Sequence, residues 1–493
     1  MSQYARKLEY NWNYRSVPQK NACLHNPNQE CNYFRGKGLG GSTIINALIY
    51  ARGNEMDYNK WNASGIQGWA FKDVLPFFQK LENYRIVGDV GYHGNNGPMF
   101  VDHTRHQDLK TLQFLNANKE LGRCVGDYNG KNQLCAGQLQ YNIINGRRCS
   151  TGRAYLRPIW NSRSNLYVSS YSHVTKVLIN SITKHAYGVI FAKDNKYFVA
   201  RSRNEIILSA GIIGSAQLLM LSGVGPKNHL AGLGIPVIHD LPVGKSFGDH
   251  VAYSWLYFKT NHSEEEQGLD DMIRDYLNGE GELTKATLTA VVFVQTNFST
   301  IKGYPDIEIL FNRYISITNL DFPTNDSSSL FSLSVALLHP NSQGNLKLRS
   351  SDPFDYPLIN PNFFSDLGNI DMAKLYNGIQ LALQLTETDS LKKLGAQLIP
   401  VHVPDCQKYE YLSKSYWYCH IRHLSREYLH PYGTCKMGPS PSMGAVVDSK
   451  LRVHGIRNLM VADGSVIPSS VSGHTSAMCM MIGERAADMI RRG

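Results

Sequence analysis

The sequence predicts an α/β chain, α+β overall, in which a nucleotide-type domain assembled from discontinuous pieces receives a second domain built on an antiparallel sheet. Three observations carry this. Residues 36–54, GKGLGGSTIINALIYARGN, crowd small residues around a Ser-Thr pair just after Arg35, a loop that invites a phosphate-bearing ligand onto exposed amides. Apolar strand–turn–helix segments recur far apart, at 204–226 and again in the tail from LMVAD into residues 477–490. Between them, from Val251 to about Phe364, short aromatic and β-branched runs alternate with polar loops, the pattern of an antiparallel sheet.

Each element has its own warrant. Gly36, Gly38 and Gly41 form a G-x-G-x-x-G, but the preceding ECNYFR is polar and no acidic residue closes a second strand about twenty positions on, so a Rossmann turn is disfavoured there. Residues 54–85 read as helical, with Trp61, Trp69, Val74, Phe77, Phe78 and Leu81 on one face and an interruption at Pro76. Residues 166–210 alternate as strands up to a turn at Gly211, and 214–222 reads as a helix. Residues 370–396 are helical in pattern, and LMVAD is a strand before the final helix.

With 493 residues, 42% of them hydrophobic, the chain has the material for a large core and for two or three domains. The net charge of +10 is scattered in single residues and pairs such as Arg147-Arg148, without the basic stripe of a nucleic-acid binder. No run of eighteen apolar residues is present, so no transmembrane helix is expected. Nine cysteines include three pairs close in sequence, Cys23 with Cys31, Cys124 with Cys135 and Cys406 with Cys419. Such loop pairs suggest disulfides and an extracellular or secretory lineage. Sequons at Asn62, Asn261, Asn297 and Asn325 agree with that compartment. Residues 1–14 lack the apolar centre of a signal peptide, so export of the chain as it stands is not expected.

Two histidines stand near the tail, His430 in LHPYGTC and His474 in SGHTSA, with Asp463-Gly464 between them at the end of an apolar strand. Converging imidazoles can remove an alcohol proton at neutral pH, because their ordinary pKa lies near it; taken singly, each is more often a satisfied structural group. Gly244–Gly248, GKSFG, fits a nucleophile elbow, but DHVAYSWLYF after it alternates like a strand rather than a helix, which argues against a hydrolase. Cys419, His420 and His423 imitate a zinc site without a second ligand pair, and a Cys406–Cys419 disulfide is the simpler reading; no metal is expected.

The loop 36–54 with Asn54, Asp57, Tyr58 and Trp61, the segment NEIILSAGIIGSAQLLMLSGVGP, and the tail from HPYGTCKMG through VADGSVIPSSVSGHTSA together resemble the glucose-methanol-choline (GMC) flavoprotein oxidoreductases, particularly insect glucose dehydrogenase-like members. The resemblance runs from about Asn11 onward. It implies non-covalently bound FAD, with Arg35, Gly41, Ser42 and Asn46 at the isoalloxazine, Val174 at the adenine, and Asp463 and Gly464 at the ribityl and phosphate region. It also implies His430 as the acid-base residue and His474 as its partner, oxidising a small-molecule alcohol or sugar with oxygen or a quinone as electron acceptor. Ile45 aligns where some members carry the histidine that bonds flavin, which disfavours covalent attachment. The implied domains are a partial FAD-binding segment over 1–85, a substrate-domain segment or lid over 86–150, FAD-binding over 151–245, substrate-binding over 246–430 and FAD-binding again over 431–493. Members begin with a strand, Gly-rich turn and helix that hold the AMP half of FAD. Residues 1–35 contain no glycine, so the FAD-binding domain is expected to be N-terminally truncated, with a non-catalytic or remnant binding protein as the alternative reading.

Overall fold

The computed structural model describes residues 7–104, 108–263, 267–284, 286–314 and 329–492. Helix α1, Glu55–Ala63, is followed by α2, Phe71–Leu81. The helical stretch expected over 54–85 therefore breaks, and it breaks between these helices rather than at Pro76, which α2 accommodates. Gly65 and Gly68 hold φ of +93° and +81°, left-handed values that end a right-handed helix. Helix α3, Leu109–Glu120, precedes the short strands β1, Cys124–Val125, and β2, Cys135–Gln138. Strands β3 (His173–Ile179), β4 (Ala186–Lys193) and β5 (Lys196–Arg201) then form an antiparallel meander.

Strand β6, Ile206–Leu208, leads through Gly211 into the apolar helix α4, Gly211–Leu221. The long strands β7 (Val251–Lys259), β8 (Leu288–Val294), β9 (Ile307–Asn312) and β10 (Leu330–Leu337) follow, so GKSFG does run into a strand. Next come α5 (Ile370–Leu383), β11 (Gln397–Ile399), α6 (Lys414–Leu424), β12 (Leu459–Val461) and the final helix α7 (Thr475–Arg492). The expected helix over 370–396 ends as α5 and resumes as short turns at Gln384–Glu387 and Asp389–Lys393.

The large sheet has the order β11-β7-β10-β9-β8-β2-β1, antiparallel except for β1 against β2, with the short strand Arg426–Glu427 also pairing with the start of β7. Its long strands are buried almost throughout, because α5 covers one face and the cleft-forming segments the other. Far apart in sequence, β6 and β12 pair in parallel, Ile206 against Leu459. That pairing brings the ends of both strands, and everything just beyond them, to one place.

The three cysteine pairs read from the sequence are disulfides: Cys23–Cys31, Cys124–Cys135 and Cys406–Cys419. Asn261 and Asn297 are exposed and Asn62 is half-buried; Asn325 lies outside the described residues.

Candidate active site

A cleft of about 3420 Å³ opens between the β6/β12 pair and the large sheet. Its floor is the glycine loop. Gly36 N–H donates to Ser42 Oγ at 3.1 Å, and a Cβ at Gly36 would lie 2.2 Å from the Gly41 carbonyl oxygen, so this tight fold of the loop admits only glycine there. The loop continues as one 3₁₀ turn, Gly41–Ile44, not as the long helix of a dinucleotide-binding turn. Arg35 donates from its guanidinium to the Leu429 carbonyl at 2.8 Å, fastening the loop beside His430. Asn46 accepts from Arg148 at 2.8 Å and donates to Ser476 Oγ at 3.4 Å.

Asp463 follows β12. Its buried carboxylate accepts from Gly211 N–H at 2.9 Å, Ser215 Oγ at 2.5 Å and Ser465 N–H at 2.8 Å, joining the start of α4 to the turn at Gly464. Val174, on β3, lines the far end of the same cleft. Arg35, Gly41, Ser42, Asn46, Val174, His430, Asp463, Gly464 and His474 are all brought to this one wall system, and Ile45 stands among them.

His430 and His474 lie with ring centroids 4.3 Å apart, and Tyr428 packs edge-on to both, at 4.9 and 6.0 Å. The backbone N–H of His430 donates to Asp249 Oδ1 at 2.7 Å. Burial, then the neighbouring His474 and His250 rings and the Arg35 guanidinium, hold His430 well below the ordinary histidine range, so its imidazole is neutral at neutral pH. His474 Nε2 meets Glu308 Oε1 at 2.8 Å, the carboxylate coming from β9 inside the sheet. Glu308, His250 and Asp249 escaped the sequence reading. Asp249-His250 stood inside the run DHVAYSWLYF, used there only as a strand signal, and Glu308 lies in IEILFN, an ordinary strand by pattern.

The cleft suits an extended dinucleotide. It exceeds several-fold the roughly 300–1,000 Å³ of a typical small-ligand pocket. Nothing stands within 4 Å of where a side chain would begin at Gly41 or Gly211, so both backbones are bare toward it.

Family profiles for GMC oxidoreductase match residues 14–252 and 340–483. The chain belongs to the GMC oxidoreductase family. This GMC oxidoreductase is accordingly an FAD-dependent enzyme of that class. It is 35% identical to glucose dehydrogenase [FAD, quinone] of Drosophila pseudoobscura pseudoobscura, over 98% of this chain and 78% of the relative. It is 32% identical to alcohol dehydrogenase [acceptor] of Pseudomonas putida, over 98% and 86%. Among solved structures it superposes on formate oxidase with a TM-score of 0.87 at 24% identity, covering 100% of this chain and 90% of the other. On pyridoxine 4-oxidase from Mesorbium loti the TM-score is 0.84 at 24% identity, covering 98% and 89%; both likenesses concern the fold.

A second cluster outside the cleft joins Cys406, Cys419 and His423, whose ligand atoms lie within 4.8 Å of one another. Both sulfurs are spent on the disulfide, and His423 Nε2 faces Asp405 at 3.6 Å. The zinc-like spacing is thus the disulfide that the sequence suggested. No helix among the described residues is long and apolar enough to cross a membrane.

Proposed function

We propose that this GMC oxidoreductase oxidises the CH–OH group of a small alcohol or sugar, with His430 as the base. The observation that carries the reading is the His430 ring, held below the ordinary histidine range by burial, set 4.3 Å from His474 in the same cleft as the glycine loop. FAD, when bound, would supply the acceptor for the hydride of the substrate's CH–OH carbon. The loop Arg35–Asn46, with Gly211, Asp463 and Gly464, would hold its isoalloxazine and phosphates, and Val174 its adenine end.

The chain's own work is positional and acid–base. His430 takes the hydroxyl proton as the carbon–hydrogen bond breaks, and His474, steadied by Glu308, holds the same oxygen. Attachment is non-covalent: Ile45 offers no nucleophile, and burial pushes the cleft-lining Cys479 thiol up to about 12, far from a thiolate at neutral pH. A quinone is the electron acceptor favoured by the Drosophila relative's name, with oxygen the alternative. The three disulfides favour an oxidising, extracellular or secretory setting.

The test is the visible spectrum of the purified chain with FAD, followed anaerobically on adding an alcohol or sugar. Two flavin bands that bleach with substrate, and in His430→Ala bleach about 10²–10⁴-fold more slowly, are expected. A folded chain that takes up no flavin would instead favour a non-catalytic binding protein on this fold.

A further inference from the structure

His250 lies directly before β7, and its ring is fully buried. Two pairings bring it to His430. Val251 pairs with Glu427, and Gly248 bridges to Tyr432, so the segments carrying the two histidines run antiparallel past each other. The result is a contact of 3.0 Å between His250 Nδ1 and His430 Nδ1, rings edge to face. On its other side, His250 Nε2 stands 3.0 Å from Ser470 Oγ. Ser470 Oγ in turn donates to the Leu338 carbonyl at 2.5 Å.

The protons in this chain can be placed one after another. A hydroxyl has one hydrogen, and Ser470 gives it to Leu338, a carbonyl that can only accept. Ser470 therefore accepts from His250, and His250 carries its hydrogen on Nε2. Burial, then the neighbouring His474 ring, push His250 down to about 3, so at neutral pH it holds that single hydrogen and its Nδ1 is a bare acceptor. The 3.0 Å contact is then a hydrogen bond from His430 Nδ1–H to His250 Nδ1. A neutral imidazole has one N–H, so His430 Nε2 keeps its lone pair.

We propose that His250 is a positioning residue that selects the tautomer of His430, directing its hydrogen to Nδ1 and leaving Nε2 as the proton-accepting atom. This deepens the proposed function and rests on His430 being the base. Leu338, Ser470, His250 and His430 form a one-way relay of donors whose anchor is a backbone carbonyl at the end of β10. Reversing His430's tautomer requires reversing or breaking every bond in it. The arrangement thus fixes both ring orientation and the identity of the basic nitrogen before substrate arrives.

The test uses the full chain labelled with ¹⁵N-histidine and read without FAD by long-range ¹H–¹⁵N correlation, with the His430 signal identified by its loss in His430→Asn. The wild-type His430 is expected as the Nδ1–H tautomer. His250→Leu, which removes the acceptor, shifts it toward Nε2–H. Alcohol-driven flavin reduction in the loaded protein then falls about 10–100-fold while FAD stays bound. His250→Asn, whose Oδ1 can accept from His430 Nδ1–H, recovers most of that loss. A wild-type His430 carrying its hydrogen on Nε2 overturns the inference outright, even if His250→Leu fails to fold. So does a folded His250→Leu protein with unchanged tautomer and unchanged reduction rate. Undiminished flavin reduction in His430→Asn would instead remove His430 as the base, a separate failure that leaves the tautomer measurement standing.

Discussion

Glu427 lies buried in the cleft wall, with its carboxyl pushed up to about 7 by burial, partly opposed by Arg426. A carboxyl whose folded pKa is raised binds its proton more tightly folded than unfolded, so its contribution to stability falls as pH rises. The loss begins near the unfolded value of 4.5 and is complete above 7. By the usual conversion this is about 3 kcal/mol as an upper bound. Glu427→Gln removes the titration. Its denaturation midpoint should match wild type at pH 4.5 and exceed it at pH 8, and equal midpoints at both pH values would contradict the assignment. Glu308 plays a different part, with its Oε1 2.8 Å from His474 Nε2. Glu308→Gln is expected to slow alcohol-driven flavin reduction by about 10–100-fold with FAD retained, read by stopped-flow absorbance. His430 and His474 were legible in the sequence, because HPYG and SGHTSA carry a family resemblance. Glu308 and His250 were not: their partners lie 166 and 180 residues away, and no local spacing records such a contact.

Helix α1 shows how one element is tied to two distant segments. Asn54 caps it, accepting from Met56 N–H at 3.0 Å while its own N–H donates to Asp57 at 2.8 Å. Asp57 also accepts from Tyr304 Oη at 2.8 Å and Ser472 N–H at 2.8 Å, linking the helix start to the loop before β9 and to the segment leading to His474. Asn54→Ala should cost about 1 kcal/mol in a urea titration, with the cysteine pairs intact. Local signals served well for such elements. The strand after GKSFG, the strands of 166–210 and the helix after LMVAD are where periodicity put them. The break between α1 and α2 was misplaced because Pro76 is the stronger textual signal. Pro76 lies on the exposed side of a helix whose Val74, Phe78 and Leu81 are buried, whereas Gly65 and Gly68 determine where the chain turns.

At the scale of the molecule, the cleft is lined by the ends of β6 and β12, which pair in parallel across more than 250 residues of chain, by the glycine loop folded on itself, and by the large sheet. A ligand that binds only the folded chain stabilises it by mass action. FAD at about 100 times its dissociation constant should therefore add about 2.7 kcal/mol, seen as a dose-dependent rise in the thermal midpoint. No rise at saturating FAD would contradict the cofactor's place in this cleft.

By itself the sequence determined the family, through a resemblance spread along the chain, and the three disulfides, through cysteines close in sequence; it also singled out the glycine loop and the two histidines as candidates. Only the tertiary structure decided that Asp463 clamps the start of α4, that Glu308 steadies His474 and that His250 faces His430. These pairings are set by strand register between distant segments. That register is chosen by burying whole sheet faces at once, a collective free energy that no single stretch of the sequence contains.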